Sequence, residues 1–180
     1  ARESVRHIVG VQFRNLATVG GSIFGRYGFS DVLTFFMAVG ASVELYHRGT
    51  VPIEEFVSMP YDRDILTHVF VPIEKMKAVY LSQRNTKTDF PVLTCCAVKT
   101  ETGLKIAIGA RPMPAVCFHD EKGLLASGIH EESAKAMGEY VKENLVTGSN
   151  LRGSSEYRSL LSSVLVKRSL LQIAEMEKEG

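Results

Sequence analysis

Neither a block of like charges nor a membrane-length apolar run interrupts the 180 residues of this chain. Twenty-one Lys and Arg stand against twenty Asp and Glu, a net charge of +1, so the electrostatic signature of a nucleic-acid binder is missing. No apolar stretch approaches the roughly 20 residues of a membrane span, and the N-terminus lacks the charged-then-apolar order of a secretory signal. The expectation is a cytoplasmic protein with no membrane or nucleic-acid partner. Cys95, Cys96 and Cys117 are the only cysteines and show no C-x-x-C spacing, so neither a disulfide framework nor a self-contained zinc or iron–sulfur site is indicated. They are expected as small buried hydrophobes in strands. His7, His47, His68, His119 and His130 share no metal-ligand spacing, so no metal site is expected. Internal repeats and low-complexity linkers are also missing. What remains is 45% hydrophobic and 23% charged, enough to build one ordinary domain or two small ones.

The chemistry-bearing stretch is Thr18-Val19-Gly20-Gly21-Ser22, followed by Ser30-Asp31. A Thr before two glycines lets the backbone approach a ligand closely and direct amide N–H groups at it, while the hydroxyl adds a hydrogen bond. That suits phosphate or ribityl oxygens; taken alone, the same run is more often a tight structural turn than a ligand loop. Asp31, taken alone, is a helix-dipole residue. Gly20-Gly21-Ser22-Ile23-Phe24 misses the G-x-S-x-G nucleophile elbow because Phe24 occupies the last glycine, and the glycines do not match the G-x-G-x-x-G fingerprint. Gly25-Arg26-Tyr27-Gly28 is similar to the GXXG clamp of an RNA-binding KH module, without the surrounding fold order; an RNA-binding module is the remote alternative. Glu54-Glu55 reads as a solvated helix start. No side chain is singled out as a catalytic acid, base or nucleophile.

Asn15-Leu16-Ala17-Thr18-Val19-Gly20-Gly21-Ser22-Ile23, Ser30-Asp31-Val32-Leu33, Val39-Gly40-Ala41-Ser42-Val43-Glu44-Leu45, Gly109-Ala110-Arg111-Pro112 and Arg152-Gly153-Ser154-Ser155-Glu156-Tyr157-Arg158 occur in the order and separation of one family. Over nearly its whole length the chain resembles the FAD-binding medium subunit of the molybdenum hydroxylases, which include xanthine dehydrogenase and aerobic carbon monoxide dehydrogenase. The resemblance implies that Thr18, Val19, Gly20, Gly21 and Ser22 hold the ribityl or phosphate region of FAD. It further implies that Asp31 hydrogen-bonds the cofactor and that Leu66 and Ile8 lie against it. Tyr80 stands where some relatives carry a lysine near the flavin; its ring would pack on the isoalloxazine or simply fill a strand face. The family's first FAD subdomain, with its own Gly-Gly loop, has no counterpart here, so the chain is expected to be the C-terminal portion of such a subunit and to bind FAD incompletely by itself.

By the same resemblance the complete subunit passes electrons from iron–sulfur clusters through FAD to NAD or another acceptor. Its partners would be a small subunit with 2Fe–2S clusters and a large subunit with the molybdenum cofactor. The alternative is a non-catalytic docking or assembly module of the same complex.

The fold class expected is α+β, mainly antiparallel sheet with helices over residues 1–72, followed by a small sheet-plus-helices domain over residues 73–180. Residues 15–29, with four glycines, read as loop; Ser30 caps a helix through Val32, Leu33, Phe36 and Val39 that Gly40 ends. Residues 41–47, 50–53 and 65–71 read as strands, Pro52 favouring an edge. Residues 76–83, 92–100, 104–110 and 115–118 read as four more. Two helices close the chain: residues 131–146, burying Ala134, Met137, Val141 and Leu145, and residues 155–177, burying Tyr157, Leu160, Leu161, Val164, Leu165 and Leu171.

Overall fold

β-branched and apolar residues alternate along seven short segments, and these pair into two antiparallel sheets in a computed structural model that describes residues 1–8 and 10–179. The first sheet holds β1 (Ser42–Leu45), β2 (Gly49–Pro52) and β3 (Leu66–Phe70) in the order β2-β1-β3. Gly49, at φ +74°, supplies the left-handed residue that starts the return strand, and Pro52 ends it on a sheet edge, where a missing N–H costs nothing. The second sheet is a meander of β4 (Lys77–Gln83), β5 (Leu93–Lys99), β6 (Leu104–Gly109) and β7 (Val116–His119). The α+β class and the strand positions thus agree with expectation.

β5 is buried on both faces. Its period of two sends Leu93, Cys95 and Ala97 to one core and Cys96 and Val98 to the other. The register Cys95↔Ile108, Cys96↔Ala107 and Ala97↔Ile106 carries the same division into β6. One face is covered by α4 (Asp31–Ala38), the opposite face by α6 (Glu131–Asn144) and α7 (Ser155–Lys178). α4 approaches so closely that a Cβ on Gly109 would sit 1.9 Å from Thr34 Oγ1 and 2.6 Å from Thr94 Oγ1; the two threonine hydroxyls bond each other at 3.1 Å. α4 also carries the first core, with β1 and the short α5 (Ile53–Ser58), so the two sheets share it as a common wall. The four-stranded sheet begins beyond Pro72.

Ser30 caps α4 by accepting from Leu33 N (3.0 Å), and Ser154 caps α7 by accepting from Tyr157 N (3.2 Å), as their positions imply. α6 buries the expected Ala134, Met137 and Val141. α7 does not follow its apolar periodicity. Leu165 is buried as expected, but Tyr157 and Leu160 are exposed, and the buried stripe is Arg158, Ser162, Ser163, Leu165, Val166, Ser169, Leu170 and Ile173. The cause is a close helix crossing: a Cβ on Gly138 of α6 would lie 2.7 Å from the Ser163 carbonyl oxygen, so only small residues fit there. The buried hydroxyls are satisfied within α7, Ser162 donating to Ser159 O, Ser163 to Leu160 O and Ser169 to Val166 O.

Residues 15–29, expected as loop, are largely helical. After α1 (Arg2–Val5), α2 (Val11–Leu16) precedes the Thr-Val-Gly-Gly run and α3 (Val19–Phe24) contains it. Glycine clusters forbid no helix when a good cap precedes them, and Thr18 is that cap. Glu54, expected to be solvated, bonds Lys105 Nζ at 2.5 Å and so ties α5 to β6.

Candidate functional site

Thr18 leaves the preceding segment in an extended conformation, φ −110° and ψ 151°, and its Oγ1 accepts from Gly21 N at 3.0 Å. Ser22 Oγ donates back to Thr18 O at 2.8 Å. Gly21 is required by this cap, since a Cβ there would stand 2.9 Å from Thr18 Oγ1. Gly20 is not required by any contact of the protein with itself: its added Cβ would meet only Leu66 Cδ2, at 3.8 Å, and its φ is not left-handed. The amides of Val19 and Gly20 open the helix and have no intrahelical acceptor.

These residues border a cleft of about 660 Å³. Ile8, Phe13 and Ala17 line one side, Thr18, Gly21 and Ser22 another, Tyr27, Phe29 and Phe90 a third, and Asp31, Val32 and Arg84 the floor. Of the residues expected at a cofactor site, Thr18, Gly21, Ser22, Asp31 and Ile8 line the cleft together. Val19 and Gly20 lie in the same helical turn without lining it. Leu66 lies elsewhere: it packs against the first core beside Gly20, on the β3 side of α3.

Asp31 is 5% exposed and accepts from Tyr80 Oη at 2.6 Å and from Arg84 Nη2 at 2.5 Å, both on Oδ1. Tyr80 therefore neither stands free for a ring to lie on nor merely fills a strand face; it is a donor to the floor carboxylate. Burial, with the Asp31 charge beside it, pushes the Tyr80 hydroxyl well above the usual phenol range, so it stays protonated and keeps donating. Arg84 Nη1 donates to Asp89 O at 2.6 Å, linking the floor to the turn that carries Phe90. The hydrogen bond from Arg152 holds the Asp89 carboxyl below its ordinary range, against a smaller opposing effect of burial.

The aromatic side was not visible as a site in the sequence. Tyr27 stacks on Phe29 with centroids 5.3 Å apart and planes 7° from parallel, and Phe29 meets Phe90 at 4.4 Å. The Gly25-Arg26-Tyr27-Gly28 run that resembled an RNA clamp is the turn that delivers two of these rings. Its glycines flanking an aromatic were the available signal.

Arg158, in the Arg-Gly-Ser-x-x-Tyr-Arg motif, is fully buried and ties down the neighbouring loop. It donates to Val92 O (2.9 Å), Gly148 O (2.7 Å) and Asn150 Oδ1 (2.6 Å), and also to Gly153 O. Cys95 and Cys96 are buried and Cys117 partly so; burial pushes the Cys95 thiol up to about 12 and the other two higher still. Among the described residues no group of three or more His, Cys, Asp and Glu is arranged to hold a metal ion.

A Thr-capped Gly-Gly helix start thus stands beside an open cleft on this two-sheet frame. Residues 1–74 match the family described as the FAD binding domain in molybdopterin dehydrogenase. The chain is 28% identical over 179 residues to the putative xanthine dehydrogenase FAD-binding subunit XdhB of Escherichia coli K12, covering 89% of this chain and 61% of the relative. It is 24% identical to the glyceraldehyde dehydrogenase medium chain of Sulfolobus acidocaldarius, covering 95% and 66% respectively. The fold is shared with carbon monoxide dehydrogenase from Hydrogenophaga pseudoflava, at a TM-score of 0.83 and 22% identity over 93% of this chain and 64% of that one. The chain thus spans about three-fifths of the length of curated relatives such as XdhB.

Proposed function

We propose that this chain forms one side of the FAD cradle in the flavoprotein subunit of a molybdenum hydroxylase-type dehydrogenase. Gly20 carries the proposal. Its side chain is absent where the protein's own packing would accept one, and glycine in a helix costs about 0.5–1 kcal/mol relative to alanine, so an outside group approaching that backbone accounts for it. The residues present fit such a cofactor. The Val19 and Gly20 amides would donate to ribityl or phosphate oxygens, Ser22 and Asp31 would add polar contacts, and the apolar walls would exclude water from the ring.

FAD, when bound, supplies the redox chemistry; this chain supplies binding, orientation and electrostatics. The Tyr80–Asp31–Arg84 cluster fixes the charge at the cleft floor, with Arg84 balancing the carboxylate and Tyr80 holding its position. Electrons would arrive from 2Fe–2S clusters of a small subunit, downstream of a molybdenum cofactor in a large subunit, and leave to NAD or another acceptor. The names of the relatives support the flavoprotein-subunit reading: XdhB is a putative xanthine dehydrogenase FAD-binding subunit, and the Sulfolobus protein is a glyceraldehyde dehydrogenase medium chain. The test is to purify the flavoprotein subunit that carries this chain and release its ligand by denaturation. Stoichiometric FAD is expected; a flavin-free protein that takes up none from solution would overturn the proposal.

A further inference from the structure

Three aromatic side chains lie partly open on one wall of the cleft: Tyr27 is 54% exposed, Phe29 43% and Phe90 39%. Burial of such rings is worth more than almost any other side chain's, so their exposure at a concave surface calls for an occupant. The fold holds them there with several separate devices. A Cβ on Gly25 would stand 2.3 Å from the Tyr27 ring, so glycine alone lets that ring fold back over the turn. A Cβ on Gly28 would stand 2.9 Å from Met113 N, so the turn is pressed against the segment after β6.

Arg26 between them adopts φ +45°, a conformation that non-glycine residues rarely take. It is kept there by burial, by donation to Phe56 O and Met59 O, and by its guanidinium lying 3.9 Å from the Tyr61 ring centroid. On the same wall, Phe90 lies 5.0 Å under the Arg152 guanidinium, which pairs with Asp89 at 3.0 Å. A strained residue and two glycines that admit no side chain are an expensive way to expose hydrophobic rings unless something binds them.

From this geometry we infer that Tyr27, Phe29 and Phe90 form a stacking subsite for a flat heteroaromatic ring of the bound flavin nucleotide. The inference rests on the proposed FAD cradle. Aromatic walls take planar heterocycles through their faces and edges with little regard to substituents, and so suit a ring that must be oriented without chemistry at it. A flavin dinucleotide has two such rings, isoalloxazine and adenine, and either would use the wall in the same way.

The experiment titrates the flavoprotein subunit carrying this chain, stripped of its flavin, with FAD, FMN and ADP by calorimetry. The variants are Phe29→Ala and Tyr27→Ser, with Tyr27→Phe as the conservative control. Each alanine or serine variant is expected to lose about tenfold in FAD affinity, the scale of one lost stacking contact, while Tyr27→Phe retains wild-type affinity. A loss shared by FMN and not ADP assigns the wall to isoalloxazine, and the converse assigns it to adenine. Tyr27, the most exposed of the three, carries the test alone if Phe29→Ala does not fold. Unchanged affinity for FAD in folded Tyr27→Ser and Phe29→Ala overturns the stacking subsite and leaves the cradle standing. A wild-type subunit that binds none of the three ligands overturns both.

Discussion

Replacing Gly20 by Ala separates a residue kept for the fold from one kept for a ligand, because the two roles predict opposite signs. The added methyl would contact only Leu66 Cδ2, at 3.8 Å, which is ordinary van der Waals distance, and the residue is already helical. Removing a glycine from a helix at a compatible site stabilises the ligand-free protein by about 0.5–1 kcal/mol, partly by restricting the unfolded chain. For a protein of this size that is a rise in melting temperature of roughly 1–4 °C. The cradle proposal places cofactor oxygens at the Gly20 amide, and a methyl on the adjoining Cα would narrow their approach to it. Displacing a group hydrogen-bonded to the Gly20 amide would weaken FAD binding by on the order of 1–3 kcal/mol. Gly21→Ala provides the contrast. Its Cβ would crowd Thr18 Oγ1 at 2.9 Å, so the N-cap is lost and stability falls by about 1 kcal/mol. Thermal unfolding of the ligand-free variants and fluorescence titration with FAD measure the two effects. A Gly20→Ala protein with raised melting temperature and undiminished flavin affinity would refute the reasoning.

In the subunit loaded with flavin, Asp31→Ala is expected to weaken FAD binding by on the order of 1–3 kcal/mol, the scale of a lost charge-assisted hydrogen bond; a fall in melting temperature alone would leave Asp31 as a helix-start and ion-pair residue only. Tyr80→Phe removes the 2.6 Å donor to Asp31 and should cost about 1–3 kcal/mol of stability, read from urea unfolding, with no change if the hydroxyl is idle. The Asp89 carboxyl is depressed in the folded state, so its contribution is present above the ordinary aspartate value near 3.8 and is lost as the pH falls through the lower folded value. Arg152→Ala should therefore reduce stability at neutral pH and flatten the acid limb of the pH profile, whereas an unaltered limb would show the pair to be inert. We propose that residues 1–72 and 73–180 divide between the sheets at the exposed 71–75 segment: trypsin should cut first at Lys75, giving fragments that stay associated through α4, and initial cleavage inside either sheet would exclude that division.

Much of this architecture was legible because it is local. Ser30 before Asp31, Gly40 after the apolar run, Pro52 at a strand end and the Glu101-Thr102-Gly103 turn each mark a boundary by their own backbone chemistry. The strand faces followed from period-two alternation. What could not be read arises between distant residues. The helix α3 was hidden because glycine-rich runs read as loop until the Thr18 cap is recognised. The buried face of α7 was hidden because serines that satisfy themselves within the helix mimic a solvent face, and the reason for them, Gly138, lies in another helix. In the site, Thr18, Gly21, Ser22 and Asp31 came from the resemblance and converge on one cleft. Arg84, Phe29 and Phe90 did not. Arg84 meets Asp31 from 53 positions away, and Phe29 meets Phe90 only because the turn after α3 and the segment before β5 fold together. Leu66, an apolar strand residue next to the glycine helix, is partly buried against the core and does not line the cleft.

The central claim is that the opening amides of α3 face a cofactor. Amide hydrogen exchange at Val19 and Gly20, followed by NMR in the flavoprotein subunit with and without FAD, tests it directly. Without an intrahelical acceptor both amides should exchange rapidly in the ligand-free protein and be slowed at least tenfold when FAD is bound, the effect of a hydrogen bond of about 1.4 kcal/mol or more. Fast exchange at both residues in a protein saturated with FAD would contradict the claim.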